Sequence, residues 1–218
     1  MIKKIVICGT GEFSDIVTDL MERVLQGTVA AYVLDDEYIT SSEYNGKPVI
    51  ALSKLKEEYP PEEYDAAIGF VGREMFNQRE RVFHLLRNWG YKLENLIHPS
   101  AILSTEHIGC GNIIFENCVL GFHVQFGSGN IMWPLSAINH HGIIGDFNNI
   151  SPGVSTSGDV TIGSHCFLGN NSTYKNKVMV ADYTYVGAGA YIAGDTEAYS
   201  VYVPERSIRL DKKSTDFL

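Results

Sequence analysis

From residue 102 to residue 192 an apolar side chain returns at every sixth position without an insertion. The series is Ile102, Ile108, Ile114, Leu120, Phe126, Met132, Ile138, Ile144, Ile150, Thr156, Ile162, Leu168, Tyr174, Val180, Val186 and Ile192, and only Thr156 interrupts it. In a chain that is 44% hydrophobic, fifteen matches in sixteen arise by chance with a probability on the order of 10⁻⁴. Glycine follows the marker at 109, 121, 127, 145, 163, 169 and 187, and small or β-branched residues such as Cys118, Val124, Ser136, Val154 and Cys166 stand two places before it. A period of six is neither helical nor a heptad; it predicts a coil of short strands, one hexad to each flat side. The marker fills the interior and the small residue fits a crowded corner. The glycine supplies the positive φ or open backbone that a corner can require. Three hexads per coil give about five coils, a prism roughly 25 Å tall at a strand spacing of ~4.8 Å.

The first hundred residues follow a different rhythm. Residues 2–8 read as a buried strand; Gly9-Thr10-Gly11 then turns into an amphipathic helix with Phe13, Ile16, Val17, Leu20, Met21, Val24 and Leu25 on one face. A second apolar run, Val29 to Leu34, ends in Asp35-Asp36, at the carboxyl end of a strand where α/β folds place ligands; a solvated turn is the competing reading. Ser53 is expected to cap a short helix to Glu58, Tyr64 to Phe70 forms a third strand ending near Gly69, and Phe76 to Trp89 forms a helix stopped by Gly90. Leu93 to Ile97 leads into the coil at His98-Pro99-Ser100. The chain thus divides into an α/β unit at 1–97, an all-β coil at 98–195 and a tail at 196–218. The glycine loop has Ser14 where a dinucleotide fingerprint wants its third glycine, and Glu12 would crowd a pyrophosphate, so a full NAD site is not expected.

Charge narrows the partners. At −9 and without a basic run, the chain is not expected to bind nucleic acid or an anionic membrane. No signal peptide and no apolar run near 18 residues is apparent, which predicts a cytoplasmic protein. Cys8, Cys110, Cys118 and Cys166 show neither a CxxC pair nor zinc spacing and read as reduced packing residues, with no metal expected.

The hexads resemble those of the hexapeptide-repeat acyltransferases, whose coil is a left-handed parallel β-helix. More narrowly, Asn139-His140-His141, Ile144-Gly145-Asp146, Ile150-Ser151-Pro152-Gly153 and Ser157-Gly158-Asp159-Val160-Thr161-Ile162-Gly163 are similar to bacterial nucleotide-amino-sugar N-acetyltransferases and sialic acid O-acetyltransferases. The resemblance covers nearly the whole chain and implies a Rossmann-like N-terminal domain ahead of the left-handed coil. It implies an acetyl-CoA-dependent N-acyltransferase acting on the amino group of a nucleotide-linked deoxyamino sugar in surface glycan synthesis (lipopolysaccharide or capsule), assembled as a homotrimer with sites between neighbours. O-acetylation of a sugar hydroxyl is the nearest alternative. A metal-dependent hydratase using His123, His140 and His141, or a non-catalytic sugar-nucleotide binding protein, are more distant ones.

The site residues follow. Transfer of an acyl group to an amine needs a base that works near neutral pH, which suits histidine, and His140 sits where the family carries that base. His141 stands where many members have a glutamate, which leaves Asp159 or Asp146 to orient the imidazole. His123, His141 and Asp159 are spaced by 18 and should stack on successive coils. Gly158, one coil beyond His140, should leave open surface above the base for the thioester arm. By resemblance, Asn149, Gly158, Gly187 and Gly189 line the coenzyme groove, with amides near the glycines as oxyanion donors. Gly9, Gly11, Asp35, Asp36 and Gly69 are expected to bind the nucleotide-sugar. His84, His98, His107 and His165 read as structural or surface residues, and Arg206, Arg209, Lys212 and Lys213 as part of a solvated tail.

Overall fold

A computed structural model describes residues 4–72, 76–209, 211 and 215. The N-terminal unit comprises β1 (Lys4–Cys8), α1 (Glu12–Asp19), β2 (Thr28–Leu34), β3 (Glu43–Tyr44), β4 (Lys47–Ala51), α2 (Leu55–Glu58), β5 (Tyr64–Ile68) and α3 (Asn77–Asn88); Ile2 and Lys3 of the expected first strand lie outside the described residues. Its sheet runs β3-β4-β2-β1-β5, all parallel except the edge strand β3. Ile5–Cys8 and Ala31–Val33 are buried on both faces, which is why they read as continuous apolar runs. The hairpin β3–β4 turns on Asn45-Gly46, both at positive φ; its strands are too short to stand out in the apolar pattern.

Two local expectations are corrected here. α1 widens into a π turn at Leu20–Val24, which buries Leu20 and Met21 beside Phe13 and Val17 but leaves Ile16 40% exposed. Ser53 caps nothing: a 3₁₀ turn at Leu52–Lys54 leads directly into α2, and the Ser53 hydroxyl donates instead to Asp36 Oδ1 at 2.6 Å.

The rest of the chain winds into a coil of two-residue parallel strands arranged in three faces, an architecture that fits a left-handed β-helix. The first face stacks Leu96–Ile97, Ile113–Ile114, Ile131–Met132, Asn149–Ile150, Phe167–Leu168, Tyr185–Val186 and Val201–Tyr202. The second stacks Ile102–Leu103 through Tyr191–Ile192, and the third Gln125–Phe126, Ile143–Ile144, Thr161–Ile162 and Met179–Val180. From Ile114 to Ile192 every marker is at most 4% exposed, Thr156 included. The coil is longer than 102–192: its last rung, Val201–Tyr202, pairs with Tyr185–Val186 inside the stretch expected to be tail. Arg206 and Arg209 beyond it are exposed, and Lys212 and Lys213 lie outside the described residues.

At the other end the unbroken period fails. Leu103, not Ile102, aligns with Leu120, while Ile108 bridges Phe126, so five residues rather than six separate the first two interior positions. Thr105 makes the short corner: its hydroxyl accepts the His107 N–H at 3.1 Å and donates to the Val124 carbonyl at 2.7 Å. Ile102 is therefore 60% exposed, as a one-residue slip along a strand requires.

Corner glycines also act differently from expectation. Positive φ falls three residues after the marker, at Asn117, His123, Leu135, His141, Phe147, Asp159 and their equivalents. Glycines directly after the marker instead allow neighbouring coils to touch: a Cβ on Gly109 would sit 2.6 Å from the Gly127 carbonyl oxygen, and one on Gly145 would sit 2.7 Å from that of Gly163. Beside them runs a buried asparagine ladder. Asn112, Asn130 and Asn148 each donate an amide to the carbonyl of Gly127, Gly145 and Gly163, and each accepts the backbone N–H of the residue one coil up.

The α/β unit packs on the first face. Ile113 and Ile131 join Ile5, Ile7, Phe13 and Leu96 in one core, and the buried Arg79 donates to the carbonyls of Ile68, Phe70 and Gly129 across the joint. Desolvation lowers its pKa to about 9.

Two outcomes test this account. Leu103→Ala should cost about 2 kcal/mol or more in chemical denaturation, whereas Ile102→Ala should stay within about 0.5 kcal/mol. Burial pushes the thiols of Cys8 and Cys166 up to about 12 and of Cys118 to about 11, so at pH 8 they hold their protons and are poor nucleophiles. A disulfide-exchange reagent should therefore label Cys110 alone in native protein and all four cysteines after denaturation.

Candidate active site

His140 and His141 stand on the corner between the second face (Ala137–Ile138) and the third (Ile143–Ile144). Both rings are exposed, and their Nδ1 atoms are 3.1 Å apart. His123, His141 and Asp159 stack on successive coils as the spacing of 18 demands, each at φ near 57° (56°, 56° and 58°). The His123 and His141 ring centroids are 5.4 Å apart, and Phe122 lies against both. One carboxylate oxygen of Asp159 and one nitrogen of each of His140 and His141 all lie within 4.8 Å of one another. Such a group can pass a proton between an imidazole and a carboxylate, and the same three donors are spaced to hold a divalent cation.

Gly158 has a different function from the one expected. The His140 imidazole packs against it, and a methyl group there would overlap the ring. The open surface is filled by the base itself, so the glycine seats the histidine rather than a thioester arm. Asp146 is committed elsewhere: it lies past the third face and accepts the Ser128 N–H at 2.6 Å, which leaves Asp159 as the carboxylate beside the imidazoles. His165 is buried, stacked between Phe147 and Tyr183 and paired with Glu80.

The expected nucleotide residues separate into two groups. A cavity of about 100 Å³ opens at the carboxyl ends of β1 and β2, lined by Gly9, Asp35, Tyr38, Leu52, Phe70 and Gln78 among others. Gly9 and Asp35 thus face it, on apolar walls that pattern reading had not singled out. Asp36 is turned away and held by Ser53, whose hydrogen bond lowers its carboxyl pKa. The Gly11 N–H donates to the Tyr44 hydroxyl at 3.0 Å. Gly69 is a packing position, since a Cβ would strike Ile7 and Ser14, and its carbonyl accepts the Ser14 hydroxyl at 2.7 Å. Ser14 stands where a dinucleotide fingerprint has its third glycine, and it joins helix to strand.

Beyond Phe70 an open groove of about 360 Å³ passes Val71, Trp133, Asn149 and Pro152 on the first face. Trp133 is wedged between Phe13 and Phe115 and donates its indole N–H to Asn149 Oδ1 at 3.0 Å. Nothing in the hexad pattern marks it. Gly187 is covered by Tyr202 of the last rung and by Val203 just past it, and Gly189 forms an open corner at φ 74°. Asn149, Gly187 and Gly189 therefore follow the first face and its trailing corner, while Gly158 lies on the next corner. In a triangular section the first face is opposite the corner that carries His140. The α/β unit with its cavity and the imidazole pair of one chain therefore lie on opposite sides of the coil.

The fold, a triangular parallel coil with a small α/β unit packed on one face, is shared with solved acetyltransferases. The acetyltransferase domain of PglB from Neisseria gonorrhoeae is similar at 26% identity, with a TM-score of 0.80 over 93% of this chain and 97% of that one. The same domain in complex with acetyl coenzyme A matches at 26% identity and a TM-score of 0.77, over 89% and 93% of the two chains. A histidine mutant of perosamine N-acetyltransferase from Caulobacter crescentus, in complex with CoA and GDP-perosamine, shares the fold at 23% identity and a TM-score of 0.82, over 94% and 95%. No protein-family model matches the chain. Among the described residues no helix is long and apolar enough to cross a membrane.

Gly158→Ala should displace the His140 ring while leaving the corner folded. We expect acyl transfer to fall about 10²-fold, the order that an ångström of misplacement costs, with a melting temperature close to the parent's by calorimetry.

Proposed function

We propose that this protein is an acetyl-CoA-dependent N-acetyltransferase that modifies the amino group of a nucleotide-linked deoxyamino sugar, with His140 as the general base. The observation that carries the reading is the exposed His140 ring seated on Gly158 beside His141 and Asp159, in a fold shared with acetyltransferases. In the reaction the amine attacks the thioester carbonyl, a carbon–nitrogen bond forms and the carbon–sulfur bond breaks. His140 takes the proton lost by the amine, Asp159 steadies the imidazolium through electrostatic attraction, and the thiolate of coenzyme A leaves and is protonated. The Rossmann-like N-terminal unit holds the nucleotide at Gly9 and Asp35, and the groove past Trp133 leads from it towards the coil. Coenzyme A lies along Asn149, Gly187 and Gly189. The reaction belongs in the cytoplasm, on a precursor of a surface glycan such as lipopolysaccharide or capsule.

Because cavity and base lie on opposite sides of the coil, a complete site takes its nucleotide cavity from one copy and His140 from another. Phe122, Ile143 and Met179, which are 59%, 46% and 55% exposed around the His140 corner, give that neighbour an apolar surface to cover. A homotrimer closed about a threefold axis satisfies both demands.

A panel of nucleotide-linked amino sugars with acetyl-CoA should reveal one preferred acceptor, and His140→Ala should lower its turnover by ~10²- to 10⁴-fold. Unchanged turnover would remove His140 from the mechanism. Co-expression of His140→Ala with Asp35→Arg chains should restore activity that neither variant has alone; its absence, or a monomer in sedimentation, would refute the shared site.

A further inference from the structure

Thr156 is the one polar residue among the interior markers, and on the coil above it stands opposite Ile138, two residues before His140. Elsewhere on the second face the backbone N–H just past the strand donates to the marker's carbonyl on the next coil: Ser104 to Leu120, Gly121 to Ile138, Ser157 to Tyr174 and Lys175 to Ile192, at 2.8–2.9 Å (2.8, 2.8, 2.9 and 2.9 Å). Asn139 is the exception. Its N–H donates to Thr156 Oγ1 at 3.0 Å, and its side-chain amide takes the vacated Thr156 carbonyl at 2.6 Å. Strand pairing registers the change: only Ala137↔Ser155 is matched at this step, where the step below matches Ala137↔Val119 and Ile138↔Leu120.

One residue further on, the His140 carbonyl accepts the Asp159 N–H at 3.0 Å, and the ring rests on Gly158. Gly158 is fixed from above, its carbonyl accepting the Lys177 N–H at 3.1 Å and the Asn176 amide at 2.8 Å. The corner carrying the base is thus tied to the coil above it by two bonds at residue 139 and one at residue 140. Thr156 is 2% exposed, so it cannot meet substrate.

We infer that Thr156 is a positioning residue: by drawing the Asn139 N–H onto its hydroxyl and yielding its carbonyl to the Asn139 side chain, it sets the backbone from which the His140 imidazole is aimed. The hydroxyl replaces an apolar marker at this coil alone because an ordinary rung would hold residue 139 by a single bond. This inference rests on His140 being the base, and the two fail separately, since His140→Ala tests that assignment without touching Thr156.

The test is kinetic. Thr156→Val keeps the interior filled and lets the Asn139 N–H return to the carbonyl, as in the four ordinary rungs. Turnover should fall roughly ten- to a hundredfold, the scale of a small misplacement of a catalytic group, with KM for acetyl-CoA and acceptor changed less than about twofold, as for an interaction that matters in the transition state. Thr156→Ser, which restores the hydroxyl, should recover most of the turnover. Asn139→Ala, made on the exposed side of the corner, removes one of the two bonds without disturbing the interior and should lower turnover by a smaller factor at constant KM. Parental turnover in Thr156→Val would overturn the inference, as would a Thr156→Ser variant no better than Thr156→Val. Should Thr156→Val fail to fold, parental turnover in Asn139→Ala would overturn it equally.

Discussion

Main-chain hydrogen bonds that run along the axis from one coil to the next hold this protein together. Each rung supplies N–H groups to the carbonyls above it, and a constant number of residues per coil keeps the two in step. Eighteen is that number from Ile113 to Ile192, and only the end rungs join the ladder at seventeen or sixteen. The interior then follows automatically, because a strand two residues long offers one side chain to each side. Glycine columns let coils approach, and the asparagine ladder carries hydrogen bonds where the corner cannot make them with backbone alone. The core is a by-product of the ladder rather than its cause.

Most of the coil was legible in the sequence because that single condition writes itself as a period. The departures occur where a side chain substitutes for backbone. Thr105 shortens the first coil, and nothing about a threonine in that position announces that Leu103 will point inward while Ile102 points out. The last rung, Val201–Tyr202, stands off the period and is invisible to it. Gly158 was placed correctly over His140, yet its purpose needed the ring's orientation. In the α/β unit, strands and helices could be read from apolar runs, but Asp35 and Asp36 are adjacent, and only Ser53, seventeen residues away, decides which of them faces the cavity. Trp133 and Arg79 gained their roles from contacts across the joint between the two units, which no local pattern encodes. Thr156 did leave a signal, being the sole polar marker, although its meaning depended on Asn139.

Rigidity distinguishes the two halves of the candidate site. The His140 corner is held by rungs above and below, so its geometry is inherited from the ladder, with little freedom left for the backbone. The cavity at Gly9 and Asp35 is walled by side chains from separate connections, including Tyr38, Leu52 and Phe70. In the proposed reaction, the chemistry that tolerates no displacement sits on the ladder, and the recognition of one sugar nucleotide among several sits on loops.

The placement of cavity and imidazole pair on opposite sides of the coil gives the proposed trimer a stoichiometric consequence. In it every copy offers its base to one neighbour and its cavity to a different one, so a closed ring holds as many finished centres as chains. An open head-to-tail pair holds only one, with an orphan half at each end.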